Sequence, residues 1–195
     1  NLNHSWKYYS QKMSPKNNLI WMDLEMTGLN YKKDRIMEIA CIITDDKLNV
    51  ISTSQDYIIN QPDDLLLGMN EWCVKTHSET GLTEASRKSS LTESVVEEEL
   101  LKFLQKHVAE KECPLAGNSV YMDKLFLLEY MPRLAEYLHY RIVDVSTVKE
   151  LCRRWNSSIY WKAPPKKLTH RALDDILESI EELKYYRQFM FTSNS

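Results

Sequence analysis

Three short apolar runs stand close together near the start of the chain, and they fix most of what it can become. Leu19–Asp23, Ile36–Thr44 and Val50–Ile59 read as strands, the second carrying Ile36, Ile39, Ile42 and Ile43 as β-branched bulk. Asp45, Asp46 and Asn49 mark the turn between the second and third. Three strands in quick succession predict an antiparallel meander. Beyond them the pattern turns helical. Ser90 and Glu93 have capping-box spacing, and Val96, Leu100, Phe103, Leu104 and His107 follow at helical intervals. Leu115–Asn118 reads as a short strand, Met122–Tyr130 as a helix ending near Pro132, Arg141–Val143 as a strand and Ser146–Trp155 as a helix. Pro164 and Pro165 lie in a loop. The last helix begins near Ala172 and aligns Ile176, Ile180, Leu183 and Tyr186 on one face. Strands first, then strands alternating with helices, predict an α/β fold with a mixed sheet flanked by helices.

Length and charge narrow the function. A chain of 195 residues holds one domain with a full core, set at 19–191, with a basic flexible arm over 1–18 and a tail over 192–195. No stretch reaches the roughly 18 apolar residues that a membrane helix needs, so no membrane partner is expected. The net charge of −3 leaves no broad basic surface for a long polyanion. Grip on nucleic acid must then come from a local site or from metal ions. Cys41, Cys73, Cys113 and Cys152 form no CxxC pair and are expected to be reduced and buried, as in an intracellular protein. The first eighteen residues carry Lys7, Lys12 and Lys16, no acid and no apolar core of a secretory signal. They fit either the end of a mitochondrial presequence or a flexible arm, so a mitochondrial or cytoplasmic location is expected.

The chemistry starts at Asp23-Leu24-Glu25, where the first strand ends. Residues i and i+2 of a strand share a face, so Asp23 and Glu25 point together while Leu24 turns to the core. Two like charges so close repel unless a cation sits between them, and Mg²⁺ suits such carboxylates. The plain alternative is a pair of solvated acids, but the apolar flanks Ile20, Trp21, Met22 and Met26 favour burial. Thr169-His170-Arg171-Ala172-Leu173-Asp174-Asp175 delivers a histidine just before a helix and two acids in its first turn. Taken alone, those acids complement the helix dipole and that histidine is an ordinary loop residue. Gly117-Asn118-Ser119 closes a short strand, and Asp123 falls on the first turn of the next helix. Three separated segments thus offer carboxylates, together with one histidine. That inventory matches two-metal phosphodiester hydrolysis, with histidine taking a proton near neutral pH.

Asp23-x-Glu25, Asp123 and His170-x4-Asp175 resemble the exonuclease motifs of the DEDD superfamily, in its histidine branch. The likeness extends to the oligoribonuclease family through WMDLEMTGL (Trp21–Leu29), Glu71-Trp72-Cys73 with His77, GNS (Gly117–Ser119), HYR (His139–Arg141), DVSTVKELCRRW (Asp144–Trp155) and HRALDD (His170–Asp175). It covers about Leu19 to Phe191, and its wording is closer to eukaryotic, partly mitochondrial members. The resemblance implies a ribonuclease H-like fold. It implies that Asp23, Glu25, Asp123 and Asp175 bind two Mg²⁺ or Mn²⁺ ions, with Asp23 touching both, that His170 is the general base, and that Asp174 is an accessory acid. Leu29 would wedge beside the bases, with Trp72 and His77 near the scissile nucleotide. Ser119, Arg141, Ser146 and Thr147 would cap the 5′ phosphate of a short single-stranded RNA. The family acts as homodimers, and Tyr140 would reach the neighbouring protomer's site.

The expected activity is 3′→5′ hydrolysis of very short RNA, especially dinucleotides, to nucleoside 5′-monophosphates. A closed cap on the 5′ phosphate suits a dinucleotide and a bidentate Arg suits a terminal phosphate. Stacking holds bases without reading sequence. For Arg141 and Ser146 the plain alternative is a strand-to-helix junction with Ser146 as N-cap. Tyr121-Met122 and Lys166-Lys167-Leu168 depart from the family pattern and leave substrate contacts from the latter loop open. Two other functions compete: a DNA exonuclease of the same superfamily, distinguished by turnover on longer strands, and a binding module on a decayed nuclease fold, disfavoured because all five catalytic positions are filled.

Overall fold

The computed structural model describes residues 17–166 and 170–191. The expected arm lies outside the described residues up to residue 16, as do the tail and the reading of Lys167, Leu168 and Thr169, while Asn18 is buried with the domain. In chain order the elements are β1 (Leu19–Met26), β2 (Ile36–Thr44), β3 (Val50–Thr53), β4 (Tyr57–Ile58), α1 (Asp63–Leu67), α2 (Glu71–Glu79), α3 (Leu82–Lys88) and α4 (Glu93–Gln105). Then follow β5 (Leu115–Gly117), α5 (Tyr121–Tyr130), α6 (Pro132–Tyr137), β6 (Ile142–Asp144), α7 (Val145–Trp155), α8 (Ser157–Trp161) and α9 (Ala172–Met190).

The sheet runs β3-β2-β1-β5-β6, with β4 also paired to β2. The meander is present: β1 and β3 both pair antiparallel with β2, while β1, β5 and β6 run parallel. Both faces of the central strands are covered, so β2 is buried at all nine positions. Ile20, Met22 and Leu24 pack with Val96, Leu100, Phe126 and Leu134 from α4, α5 and α6. Trp21, Ala40 and Ile42 pack on the opposite face with Val145, Cys152, Ile176 and Ile180 from α7 and α9. Leu66, Met69, Cys73 and Leu82 form a smaller cluster around Met37. All four cysteines are buried and none is in a disulfide.

Four sequence readings need correction. The run Val50–Ile59 is not one strand: Ser54 turns back on β2, its N–H donating to the Cys41 carbonyl and its hydroxyl accepting from the Cys41 N–H, and the chain breaks before β4. The cap of α4 is Thr92, whose hydroxyl accepts from Val95 N–H, rather than Ser90, and the helix stops before His107. Asp144 caps α7 in place of Ser146. Strand β1 continues past Asp23 to Met26. Pairing of β1 with β5 ends at Trp21↔Ala116, so the sheet parts there and the C-terminal ends of β1, β5 and β6 open on one edge. Ligand sites of open parallel sheets form in such a cleft.

Candidate active site

Asp23 and Glu25 lie on the parted length of β1, opposite Ala40 and Glu38 of β2 in register. Strand parity puts them on the face of Trp21, the face that α9 covers, and a register shift follows Glu25. Such bulges re-aim side chains next to functional sites. The Leu24 N–H has no partner strand at this point. Asp123, on the first turn of α5, supplies one: its Oδ1 accepts that N–H at 2.9 Å. Asp123 is thereby drawn into the cleft and left only 6% exposed. From the other side α9 brings Asp175, half-buried, while Asp174 stays exposed.

His170 stands in the left-handed region with φ 51°. For a residue other than glycine that costs about 1–2 kcal/mol, which the surroundings must offset. The ligating atoms of Glu25, His170 and Asp175 all lie within 4.8 Å of one another. The His170 ring meets Trp72 edge-on, centroids 5.4 Å apart.

The acids oppose one another electrostatically. Burial holds Asp23 well above the usual carboxylate range, and the charges of Asp123, Glu25 and Asp175 add to the effect. Glu25 is pushed up to about 7 by burial and by Asp175, with Arg171 pulling the other way. Asp123 is pushed up to about 8 by burial, despite the hydrogen bond from Leu24 N–H. Asp175 is raised by burial too, against the pull of His170 and Lys166. Four desolvated carboxylates with so little protein cation around them fit hard divalent ions with oxygen ligands.

Beside them lies a cavity of about 390 Å³, lined by Glu25, Gly28, Leu29, Asn70, Trp72 and His77 among others. Leu29 is 70% exposed at its mouth. The loop that presents it is built on Asp34, whose Oδ2 accepts Asn30 N–H at 2.8 Å and whose Oδ1 accepts the Thr27 hydroxyl at 3.2 Å. A Cβ at position 28 would stand 2.5 Å from that carboxylate, so a larger residue would have to push Asp34 away from the bonds that hold the loop. His77 is buried, with Nε2 2.9 Å from the Met26 carbonyl. If that nitrogen donates, Nδ1 faces Glu25 Oε2 at 3.9 Å as a lone pair without a hydrogen-bond partner. Burial pushes the His77 pKa down, in keeping with a neutral ring.

The other expected contacts sit at the ends of β5 and β6. Ser119 has φ 52°, and its N–H donates to Asp144 Oδ1 at 2.9 Å. The same oxygen accepts the Ser146 N–H at 3.0 Å and the Ser146 hydroxyl at 2.6 Å. Asp144 thus ties the two serines together, a role not assigned from the sequence although a D-x-S cap spacing was there to read. Thr147 is exposed on α7. Arg141 lies over the Tyr140 ring at 5.3 Å, Tyr140 stacks on His139, and Tyr140 is 73% exposed. The cleft therefore gathers the five expected catalytic residues with Trp72, His77 and Leu29. Tyr140 and Arg141 project from the surface.

Comparison with known proteins agrees with this geometry. The RNase_T family model, described as an exonuclease, matches residues 20–183. The human protein "Oligoribonuclease, mitochondrial" is 53% identical over 173 residues, covering 89% of this chain and 73% of that protein. The oligoribonuclease of Neisseria meningitidis serogroup A is 51% identical over 181 residues, 93% of this chain and 96% of that one. Among solved structures, exonuclease I from Methylocaldum szegediense superposes with a TM-score of 0.68 at 17% identity, and the zinc-bound E. coli ExoI–ssDNA complex with 0.70 at 15%. The chain covers 90% and 89% of itself in these superpositions and 41% of each exonuclease, so the likeness concerns the ribonuclease H-like fold alone. On these grounds the chain is a nuclease that belongs to the oligoribonuclease family of exonucleases.

Proposed function

We propose that this chain hydrolyses very short single-stranded RNA, dinucleotides above all, from the 3′ end to nucleoside 5′-monophosphates. The observation that carries the reading is the convergence of four acids, Glu25 and Asp123 buried and Asp23 and Asp175 partly so, with His170 beside the cavity that Leu29 and Trp72 border. Asp23, Glu25, Asp123 and Asp175 would hold two divalent ions, Mg²⁺ or Mn²⁺. Such ions make water a stronger acid and offset the charge gathering on the phosphoryl oxygens. His170 takes the proton of the attacking water as its oxygen bonds to phosphorus. The bond from phosphorus to the O3′ of the preceding nucleotide breaks, and that O3′ leaves with a proton from solvent. Leu29 wedges beside the bases, Trp72 offers an exposed ring for stacking, and His77 borders the scissile nucleotide.

Ser119, Arg141, Ser146 and Thr147 close the 5′ side. Asp144 fixes the two serines before substrate arrives, which lowers the ordering cost of binding. The exposed Tyr140, with Arg141 over its ring, suits a homodimer in which it reaches the partner's cleft. Among the described residues no helix is long and apolar enough to cross a membrane. The expected setting is intracellular, mitochondrial or cytoplasmic, and the name of the human relative supports the mitochondrial one.

The test is turnover of 5′-phosphorylated RNA two to seven nucleotides long, with Mg²⁺, with EDTA and with His170→Ala. Metal-dependent cleavage that is fastest at two nucleotides and collapses in the variant is expected. Equal or faster cleavage of the longer strands, or of DNA, would reassign the substrate, and no cleavage at any length would leave a binding module.

A further inference from the structure

Arg171 follows His170 directly and stands at the N-cap of α9, with no side-chain cap of its own. Its side chain turns back across the sheet instead. Nε donates to Glu38 Oε1 at 2.8 Å, and the terminal nitrogen Nη2 donates to Asp56 Oδ2 at 3.1 Å. Glu38 is fully buried on β2 and is the cross-strand neighbour of Glu25. Asp56 comes from the break between β3 and β4. The Arg171 carbonyl meanwhile accepts the Asp175 N–H at 3.0 Å. One residue therefore ties the β2–β4 side of the sheet to the junction that carries both His170 and Asp175.

The socket is built for a guanidinium. Among the described residues nothing donates to the buried Glu38 Oε2 and Asp56 Oδ1, and the two carboxyl groups lie within hydrogen-bonding reach of each other. Burial and the neighbouring Asp56 push the Glu38 carboxyl up to about 8, and a proton on Glu38 Oε2 would satisfy both oxygens. A buried ion pair persists where its remaining lone pairs are met in this way. With its Nε and Nη2 edge occupied, Arg171 is poorly placed to grip a substrate phosphate.

We propose that Arg171, seated on Glu38 and Asp56, is a positioning residue for His170, holding the left-handed backbone that turns its imidazole towards Glu25 and Asp175. This rests on the reading of His170 as the group that takes the proton. Chain positions that bear strain need surroundings that over-determine them. The two-pronged grip of Arg171 is the anchor on the helix side.

The experiment compares Arg171→Met, Glu38→Ala and Glu38→Gln with the full chain, using dinucleotide turnover and the His170 Cε1–H resonance, which the Trp72 ring current marks. Arg171→Met and Glu38→Ala should lower kcat by roughly tenfold or more, since ångström misplacements of reacting groups cost up to about a hundredfold, with KM changed by less than about twofold. The resonance should move in both. Glu38→Gln should recover most of kcat, because its amide keeps an acceptor for Arg171 and offers an N–H to Asp56. A lowered melting temperature with kcat and resonance unchanged would make the socket merely structural and overturn the proposal. A raised KM with kcat intact would make Arg171 a substrate contact and overturn it too. An active His170→Ala enzyme would overturn the reading of His170 itself, whereas an inactive one beside a fully active Arg171→Met would overturn the positioning role alone. Should Arg171→Met fail to fold, the contrast between Glu38→Ala and Glu38→Gln still decides.

Discussion

Glu97 and Asp123 are both buried acids on helices, 5% and 6% exposed, yet they live in opposite circumstances. Glu97 accepts the Arg133 N–H at 2.8 Å, the Leu134 N–H at 3.2 Å and the Arg133 Nε at 3.0 Å. It caps α6 and has a guanidinium beside it, so the protein itself satisfies the charge. Asp123 receives a backbone N–H from Leu24 but faces Asp23, Glu25 and Asp144 with no guanidinium at hand. A buried charge left uncompensated is costly, and folds shed such residues unless a ligand completes them. Glu97 belongs to the scaffold, whereas on the reading proposed above Asp123 and its neighbours are kept for cations.

Substitutions should separate the two kinds of acid. Asp123→Asn and Asp175→Ala should each cut turnover by roughly a thousandfold or more by removing a cation ligand. Both should keep the metal-free melting temperature, or raise it, because a repulsion is relieved. A variant that unfolds would show that its acid is structural after all.

Stability of the metal-free protein should depend on pH in a direction opposite to the usual one for acids. A carboxyl whose pKa is higher in the folded state binds more protons there, so its contribution is present at low pH and lost as pH rises through the folded value. Glu25 sets that window from 4.5 up to about 7, and Asp123 from 3.8 up to about 8. For Glu25 alone the change is on the order of 3 kcal/mol. Melting temperatures in EDTA should therefore fall between pH 5 and pH 8, and saturating Mn²⁺ should flatten the slope. A flat profile in EDTA would remove the contrast with Glu97.

Glu97→Ala should cost about 2–3 kcal/mol, as it strands the N–H groups of α6, and lower Tm by about 4–10 °C while kcat stays within about twofold. Leu29→Ala should be the mildest, raising KM for the dinucleotide about fivefold through lost apolar contact. An unchanged KM would take Leu29 out of the substrate path.

Much of this was legible in the sequence where a local rule decides the outcome. Strand parity gave the shared face of Asp23 and Glu25, and the β-branched run Ile36–Thr44 matches β2 at both ends. The misses have long-range causes. Glu97 sits in the run Glu97-Glu98-Glu99, where nothing local singles it out from its neighbours. Its partner Arg133 lies 36 residues on, brought in when α6 packs against α4. The strand break near Asp56 depends on Ser54 pairing with Cys41 and on Arg171, which is 115 residues away. Helices α1 to α3 show no long apolar stripe, because they bury only a few residues over Met37. Asp144 looks like one more acid until the left-handed turn at Ser119 aims a backbone N–H at it.

The most direct measurement is calorimetric titration of Mn²⁺ into the metal-free protein at pH 7, in buffers of different ionisation heat. Two ions per chain with net proton release are expected, since the raised carboxyls must lose protons to bind metal, and Asp123→Asn should weaken binding and release fewer protons while Glu97→Gln behaves like the parent. Binding without proton release, or equal loss in both variants, would contradict the division between acids of the scaffold and acids kept for cations.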